Sequence, residues 1–237
     1  NTAGASFIAG SITSSFYNLT MNKTANGLQL NTDIEVSNKL TLAGGDSIFL
    51  NNHTIELGTT GSLSGEINTR RITGYNGGYI EAIATLNAPT LANPGNLGLY
   101  MSSLQNFGTT TIRRGHAIQA GGSVSRYYDI MPTNNTSLNA SVVFHYFENE
   151  LNGNSEAFLD FFSSIDDGFN WTNEGALDIN TALNTVSAVF DSFDRLTVGN
   201  LPNIVLPLRS VILSGNATAQ YSTLQWTASG ISASGIF

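Results

Sequence analysis

A chain of 237 residues with 17 acidic and nine basic side chains carries a net charge of −8. That argues against a nucleic-acid partner, which would need a cationic footprint. Cysteine is absent and only 11% of the residues are charged, so no disulfide contributes and Asn, Thr, Ser and Gly supply the polarity, as in β-rich extracellular surfaces with many turns.

Residues 1–65 carry a recurring unit, an apolar–polar–apolar triplet followed by a polar turn, at residues 19–21, 28–30, 34–36, 40–42, 48–50 and 55–57. The register repeats at about 21 residues: Leu19 maps to Leu40, Ile34 to Ile55 and Leu42 to Leu63, with Leu28 to Ile48 one shorter. Alternate side chains of each triplet point to one face, so each is a short strand with a single buried side. Three such strands per coil predict a short parallel β-solenoid.

Residues 66–200 change rhythm to longer strands divided by Gly, Asn and Pro turns. Strands are predicted at 66–74, 78–86, 98–103, 109–117, 125–131, 140–147, 157–163, 188–191 and 195–198, and they predict an antiparallel β-sandwich. Residues 174–187 read as a strand–turn–strand or as one helical turn. Residues 201–237 hold two strands, 204–213 and 224–228, joined by Ser214-Gly215-Asn216. Two strands cannot enclose a core, so this piece is read as incomplete. The fold expected is all-β throughout.

The sharpest motif is Ser164-Ile165-Asp166-Asp167-Gly168-Phe169-Asn170-Trp171, which matches the Asp-box pattern S-x-D-x-G-x-x-W. It predicts a tight hairpin: Asp166 accepts turn N–H groups, Gly168 supplies a positive φ, Ser164 opens the turn and Trp171 folds back to seal it. Glu148, Glu150, Glu156, Asp160, Asp166 and Asp167 gather around it, but without the regular spacing of a calcium loop, and are read as solvated. His53, His116 and His145 stand in no zinc-binding spacing. Gly61-Ser62-Leu63-Ser64-Gly65 falls where a solenoid turn belongs, not a nucleophile elbow. No catalytic residue, metal or cofactor is expected.

Phe144, Tyr146, Phe158 and Phe162 keep strand parity, which predicts aromatic faces turned into a sandwich core. Arg70-Arg71 and Arg113-Arg114 are basic doublets whose members must face opposite ways in a strand, so neither makes a basic patch. No stretch approaches the roughly 20 apolar residues of a membrane span.

Asn93-Pro94-Gly95-Asn96-Leu97-Gly98-Leu99, Thr109-Thr110-Thr111-Ile112-Arg113-Arg114-Gly115-His116, Arg126-Tyr127-Tyr128-Asp129-Ile130, residues 138–152 and the Asp-box together resemble a repeated module of large secreted surface proteins of Bacteroidetes-type bacteria. Leu206-Pro207-Leu208 and Leu224-Gln225-Trp226 resemble the start of a fibronectin-III-like domain. The resemblance implies type IX secretion and a cell-surface role as adhesin, extracellular filament or sheath component, with no catalytic residues to carry over. It also implies O-glycosylation at Ser47 within Asp46-Ser47-Ile48. Asn1 follows no signal peptide, which reads as a mature chain or an excised fragment.

The function expected is a non-catalytic structural or adhesive surface protein, with a carbohydrate-binding module of a larger secreted enzyme as the alternative. Its partners would be copies of itself or neighbouring domains, or glycans. Val205, Leu208 and Val211 are the candidate assembly residues, unless the chain continues and completes its own third domain.

Overall fold

The computed structural model describes residues 6–74, 76–200, 210–217 and 222–229. It is all-β: among the described residues the helical content is confined to short 3-10 turns. Strands β1 (Ser6–Ala9) and β2 (Ser14–Met21) form the first coil. Strands β3 (Leu28–Asn31) and β4 (Ile34–Leu42) form the second, and β5 (Ile48–Phe49), β6 (Thr54–Glu56) and β7 (Ser62–Ser64) the third. The coils stack in parallel, with Leu19 on Leu40, Leu28 on Ile48 and Ile34 on Ile55, as the sequence period requires.

Two features depart from three equal strands per coil. In the first two coils the second and third triplets run on as one bent strand, β2 or β4, and part only in the third coil as β6 and β7. There Leu63 stacks on Leu40 and not on Leu42. Two extra residues between Leu57 and Leu63 shift the register. Gly61 permits it, since a Cβ at that position would lie 2.2 Å from the Val36 carbonyl oxygen.

The solenoid rhythm does not stop at residue 65. Strand β8 (Ile72–Thr73) stacks Ile72 on Ile48, and β9 (Tyr79–Asn87) stacks Ile80 on Ile55. The long strand expected over 66–74 is therefore only β8, preceded by a tight loop in which Ile67 bridges Arg70. Strand β9 is the switch. Its first residues lie parallel to β6, and its other edge pairs antiparallel with β11 (Asn106–Gly115), Ala82 opposite Ile112. From there the sheet continues through β12 (Tyr127–Pro132), β18 (Arg195–Gly199), β14 (Asp160–Ser164) and β15 (Thr172–Gly175).

A second sheet orders β10 (Leu99–Ser102), β13 (Ala140–His145), β17 (Thr185–Phe190) and β16 (Asp178–Asn180). It faces the first as the other layer of the sandwich. Residues 174–187 thus resolve as strand–turn–strand. Edge-on aromatic pairs cross the layers: Tyr128–Phe144 at 5.2 Å, Phe144–Phe161 at 6.0 Å and Phe161–Phe190 at 5.3 Å between ring centres. One apolar core runs from Leu30 in the solenoid to Val198 in the sandwich.

Strands β19 (Ser210–Ala217) and β20 (Ser222–Ser229) form a separate antiparallel hairpin with Val211 opposite Ala228. The turn expected at Ser214-Gly215-Asn216 is strand instead, Ser214 pairing with Gln225. Val205 and Leu208 lie outside the described residues. Among the described residues no helix is long and apolar enough to cross a membrane.

Candidate functional site

The Asp-box hairpin joins β14 to β15. The Ser164 hydroxyl donates to Asp166 Oδ1 (2.9 Å) and accepts from the Gly168 N–H (2.8 Å), while Asp166 Oδ1 also accepts from the Asn170 N–H (2.8 Å). Hydrogen bonds from the Asn170 side chain and backbone hold the Asp166 carboxyl below its ordinary range. Gly168 has φ +94°, and the Trp171 indole donates to its carbonyl (2.9 Å). Trp171 then covers Phe162, so β14 is buried on both sides, with Phe161 facing the main core and Phe162 facing the hairpin. Phe158, expected to share a face with Phe162, lies outside the strand at 71% exposure. The motif is a folding device. Gly168→Ala forces a non-glycine residue into that positive φ and is expected to cost roughly 1–3 kcal/mol, read from the urea midpoint; a variant as stable as the parent would refute the strain argument.

Ser47 is 9% exposed and its hydroxyl accepts from the Arg71 N–H (3.3 Å), so its oxygen is engaged between coils.

The residues that sequence reasoning missed are buried charges where solenoid meets sandwich. Arg114, on β11 directly opposite Ile80, donates to both oxygens of Glu66 (2.9 and 2.7 Å) and to the Leu97 carbonyl (2.9 Å). Glu66 also accepts from the Ile72 N–H (2.8 Å). Arg126 donates to Glu150 Oε1 (2.9 Å) and to the His145 carbonyl (3.0 Å), and Glu150 Oε2 accepts from the Phe147 N–H (3.0 Å). Arg71 Nε and His116 Nδ1 approach Glu150 at 3.6 and 3.7 Å.

Burial opposes ionisation of both carboxylates, yet the neighbouring guanidiniums prevail: Arg114 holds Glu66, and Arg126 holds Glu150, below the usual carboxylate range. Burial pushes the His116 imidazole down to about 4. Glu66 and Arg71 belong to the solenoid loop between β7 and β8, whereas Arg114, Arg126 and Glu150 belong to the sandwich. Asn149 adds two hydrogen bonds to Asn68 across the same seam (2.8 and 3.1 Å). The cluster is an ionic latch between the two parts.

Glu150 was expected to be a solvated loop carboxylate and is fully buried, while Glu148 beside it is exposed. The sequence held one signal. Arg114 shares strand parity with Ile112, so it had to point inward, and an inward guanidinium requires a buried carboxylate partner.

Arg113 faces the opposite way, as the doublet required, and pairs with Glu81 at 2.6 Å. On this outer face Arg195 binds Asp129 through two bonds (2.6 and 2.9 Å) and reaches the Asp167 carbonyl of the Asp-box turn (2.7 Å). Arg113 lies over the Tyr79 ring and Arg195 over Tyr127. A Cβ at Gly115 would fall 2.1 Å from the Tyr127 ring, so that ring is layered between Gly115 and a guanidinium. The groove here, about 470 Å³, therefore offers no free Tyr127 face for stacking a sugar.

A second cavity, of about 190 Å³, opens beside the latch and is lined by Glu66, Asn96, Tyr100, Arg114, Arg126 and Phe147 among others. Among the described residues no group of three His, Cys, Asp or Glu side chains is placed to hold a metal ion. No protein-family profile, curated protein or solved structure matches the chain.

Proposed function

We propose that this chain is a non-catalytic structural and adhesive module of an extracellular surface protein, whose solenoid end docks another β-coil. The observation that carries this reading is the first coil. Ile8, Phe16 and Leu19 remain half-buried, whereas Leu30, Val36 and Leu40, stacked beneath them, have no exposure. Strands β1 and β2 are the outermost strands of their sheets, and no strand pairs with their outer edges among the described residues. A solenoid needs a polar cap or a stacked neighbour to close such an end, and main-chain pairing with alternating apolar side chains supplies both affinity and register.

The ionic latch supports the same reading. It couples the docking end to the sandwich through one sheet and one core, as suits a module that transmits load. Both buried carboxylates are held ionised by arginine, which makes them poor general acids.

The test is sedimentation velocity with negative-stain microscopy across a wide concentration range. The parent is expected to associate. Phe16→Glu with Leu19→Glu is expected to remain monomeric while still folding, with a lowered melting temperature because both side chains pack against the core. A parent that stays monomeric throughout would sink docking between copies. Turnover of glycosides, esters or peptides that disappears in Glu150→Gln would sink the non-catalytic half of the reading.

A further inference from the structure

The groove of about 470 Å³ on the outer face of the large sheet is built from β9, β11 and β12 as its floor and the Asp-box hairpin as a wall. Ile165 and Asp167 of the hairpin line it, and Asp194, just before β18, lines it too. The wall is fixed. Its turn is closed by its own hydrogen bonds, and Arg195 holds the Asp167 carbonyl from the sheet (2.7 Å). A preformed wall avoids the ordering entropy that a mobile loop loses on binding.

The cations of this groove are matched, and two of its carboxylates are not. Arg113 is paired with Glu81, and Arg195 is paired with Asp129 through two hydrogen bonds. Arg195 approaches the Asp167 carboxylate only at 4.0 Å, and that side chain is 93% exposed. The Asp194 carboxylate has no hydrogen bond or ion pair among the described residues. Burial, and then the Asp129 and Asp167 charges, push its carboxyl up, so a cation placed there relieves a like-charge contact. Ile165, 85% exposed, and Met131, 42% exposed, set apolar surface beside the two acids.

This chemistry selects its occupant. The unmatched carboxylates repel nucleic acid, anionic lipid and acidic sugars. Tyr127 is covered on both faces, so a neutral sugar finds no stacking platform on it. A small amine would answer the carboxylates but leave Ile165 and Met131 in water. A protein segment that carries a cation beside an aliphatic side chain covers both.

We propose that this groove docks an extended segment of a partner protein in which lysine or arginine neighbours an aliphatic residue. The cation sits between Asp167 and Asp194, and the aliphatic side chain rests between Ile165 and Met131. The Asp-box hairpin is then both a folding device and the fixed wall of a recognition groove. The site shares no residue with the solenoid end, so it stands or falls independently of docking there.

Fluorescence anisotropy of labelled, end-capped tetrapeptides with the whole chain, at low and at physiological salt, tests this. A peptide of alternating leucine and lysine is expected to bind saturably, one per chain, and about tenfold more weakly at the higher salt. Peptides that pair leucine with glutamate, or glycine with lysine, are expected to bind at least about tenfold more weakly than it does. Asp194→Asn and Ile165→Ala change exposed side chains, so both variants are expected to fold as the parent does. Each is expected to weaken the leucine–lysine peptide about fivefold. Asp178→Asn removes an equally exposed charge from the other sheet and is expected to leave binding unchanged. An equal loss in Asp178→Asn would reveal mere attraction to an acidic protein. That result, absence of saturation, an unaltered affinity in Asp194→Asn or Ile165→Ala, or spermidine binding as tightly as the peptide would overturn the assignment.

Discussion

Glu150→Gln is expected to lower stability by about 3–5 kcal/mol, the usual cost of removing one partner from a buried ion pair. The substitution keeps the shape and still lets the side-chain carbonyl accept from the Phe147 N–H, so it isolates charge from packing. What remains is Arg126, 1% exposed, with Arg71 and His116 close by, and among the described residues none of the three has an ion pair with another carboxylate. For a chain of this size such a loss corresponds to a melting temperature lower by roughly 10 °C. An effect under about 1 kcal/mol would mean that the guanidinium is hydrated in place and that the latch contributes little.

The same cluster dictates a pH dependence. Glu66 and Glu150 have folded values below their unfolded ones, so their contribution is present above about pH 4.3 and is lost as pH falls from there toward the folded values. His116 is buried neutral, with its folded value near 4 against 6.5. Between those values the unfolded chain binds the extra proton, so stability rises with pH across that window and is full above about 6.5. Urea midpoints of the parent are therefore expected to be flat above pH 6.5 and to fall progressively below it. In Glu150→Gln the part of the fall below pH 4.3 should be shallower.

The solenoid was legible because its signal is local and periodic. Each triplet declares its inward face, and the 21-residue spacing declares its neighbour, so Leu19 on Leu40 and Ile34 on Ile55 could be read directly. The slip at Leu63 was not legible, because two inserted residues leave the triplet intact and shift only its partner. The Asp-box was equally local, and the hydrogen bonds among Ser164, Asp166, Gly168, Asn170 and Trp171 that close its turn lie within eight consecutive residues.

The latch was hidden for the opposite reason. Glu66 and Arg114 lie 48 positions apart, and Arg126 and Glu150 lie 24 apart, and no pattern within a segment links them. Parity with Ile112 was the one signal that could have marked Arg114 as inward-facing. For Glu150, in a short 3-10 turn after β13, there was no parity to use, and a run of acidic and amide residues looks the same whether it is solvated or folded over an arginine.

Phe161→Ala is expected to cost about 3–5 kcal/mol, the range for truncating a fully buried aromatic side chain. Its position explains why the upper part of that range applies. Phe161 is the middle of the edge-on series Tyr128–Phe144–Phe161–Phe190, which alternates between the two sheets, so it contributes both burial and ring contacts to each layer. Collapse into the void is opposed on both sides. Its backbone is held between Val198 of β18 and Gly175 of β15, and the far face of β14 is sealed by Phe162 against Trp171. Phe162→Leu is the informative companion, because it trims the small cluster under the hairpin and leaves the inter-sheet seam whole, and its cost should be clearly smaller. Urea unfolding in a Trp226→Phe background, followed by Trp171 fluorescence and by far-ultraviolet circular dichroism, checks both. If the sandwich and the solenoid share one core, the two signals shift together in Phe161→Ala. A fluorescence transition that moves while the dichroism of the solenoid coils stays in place would show two independently folding parts joined by a sheet, and would refute the single-core account.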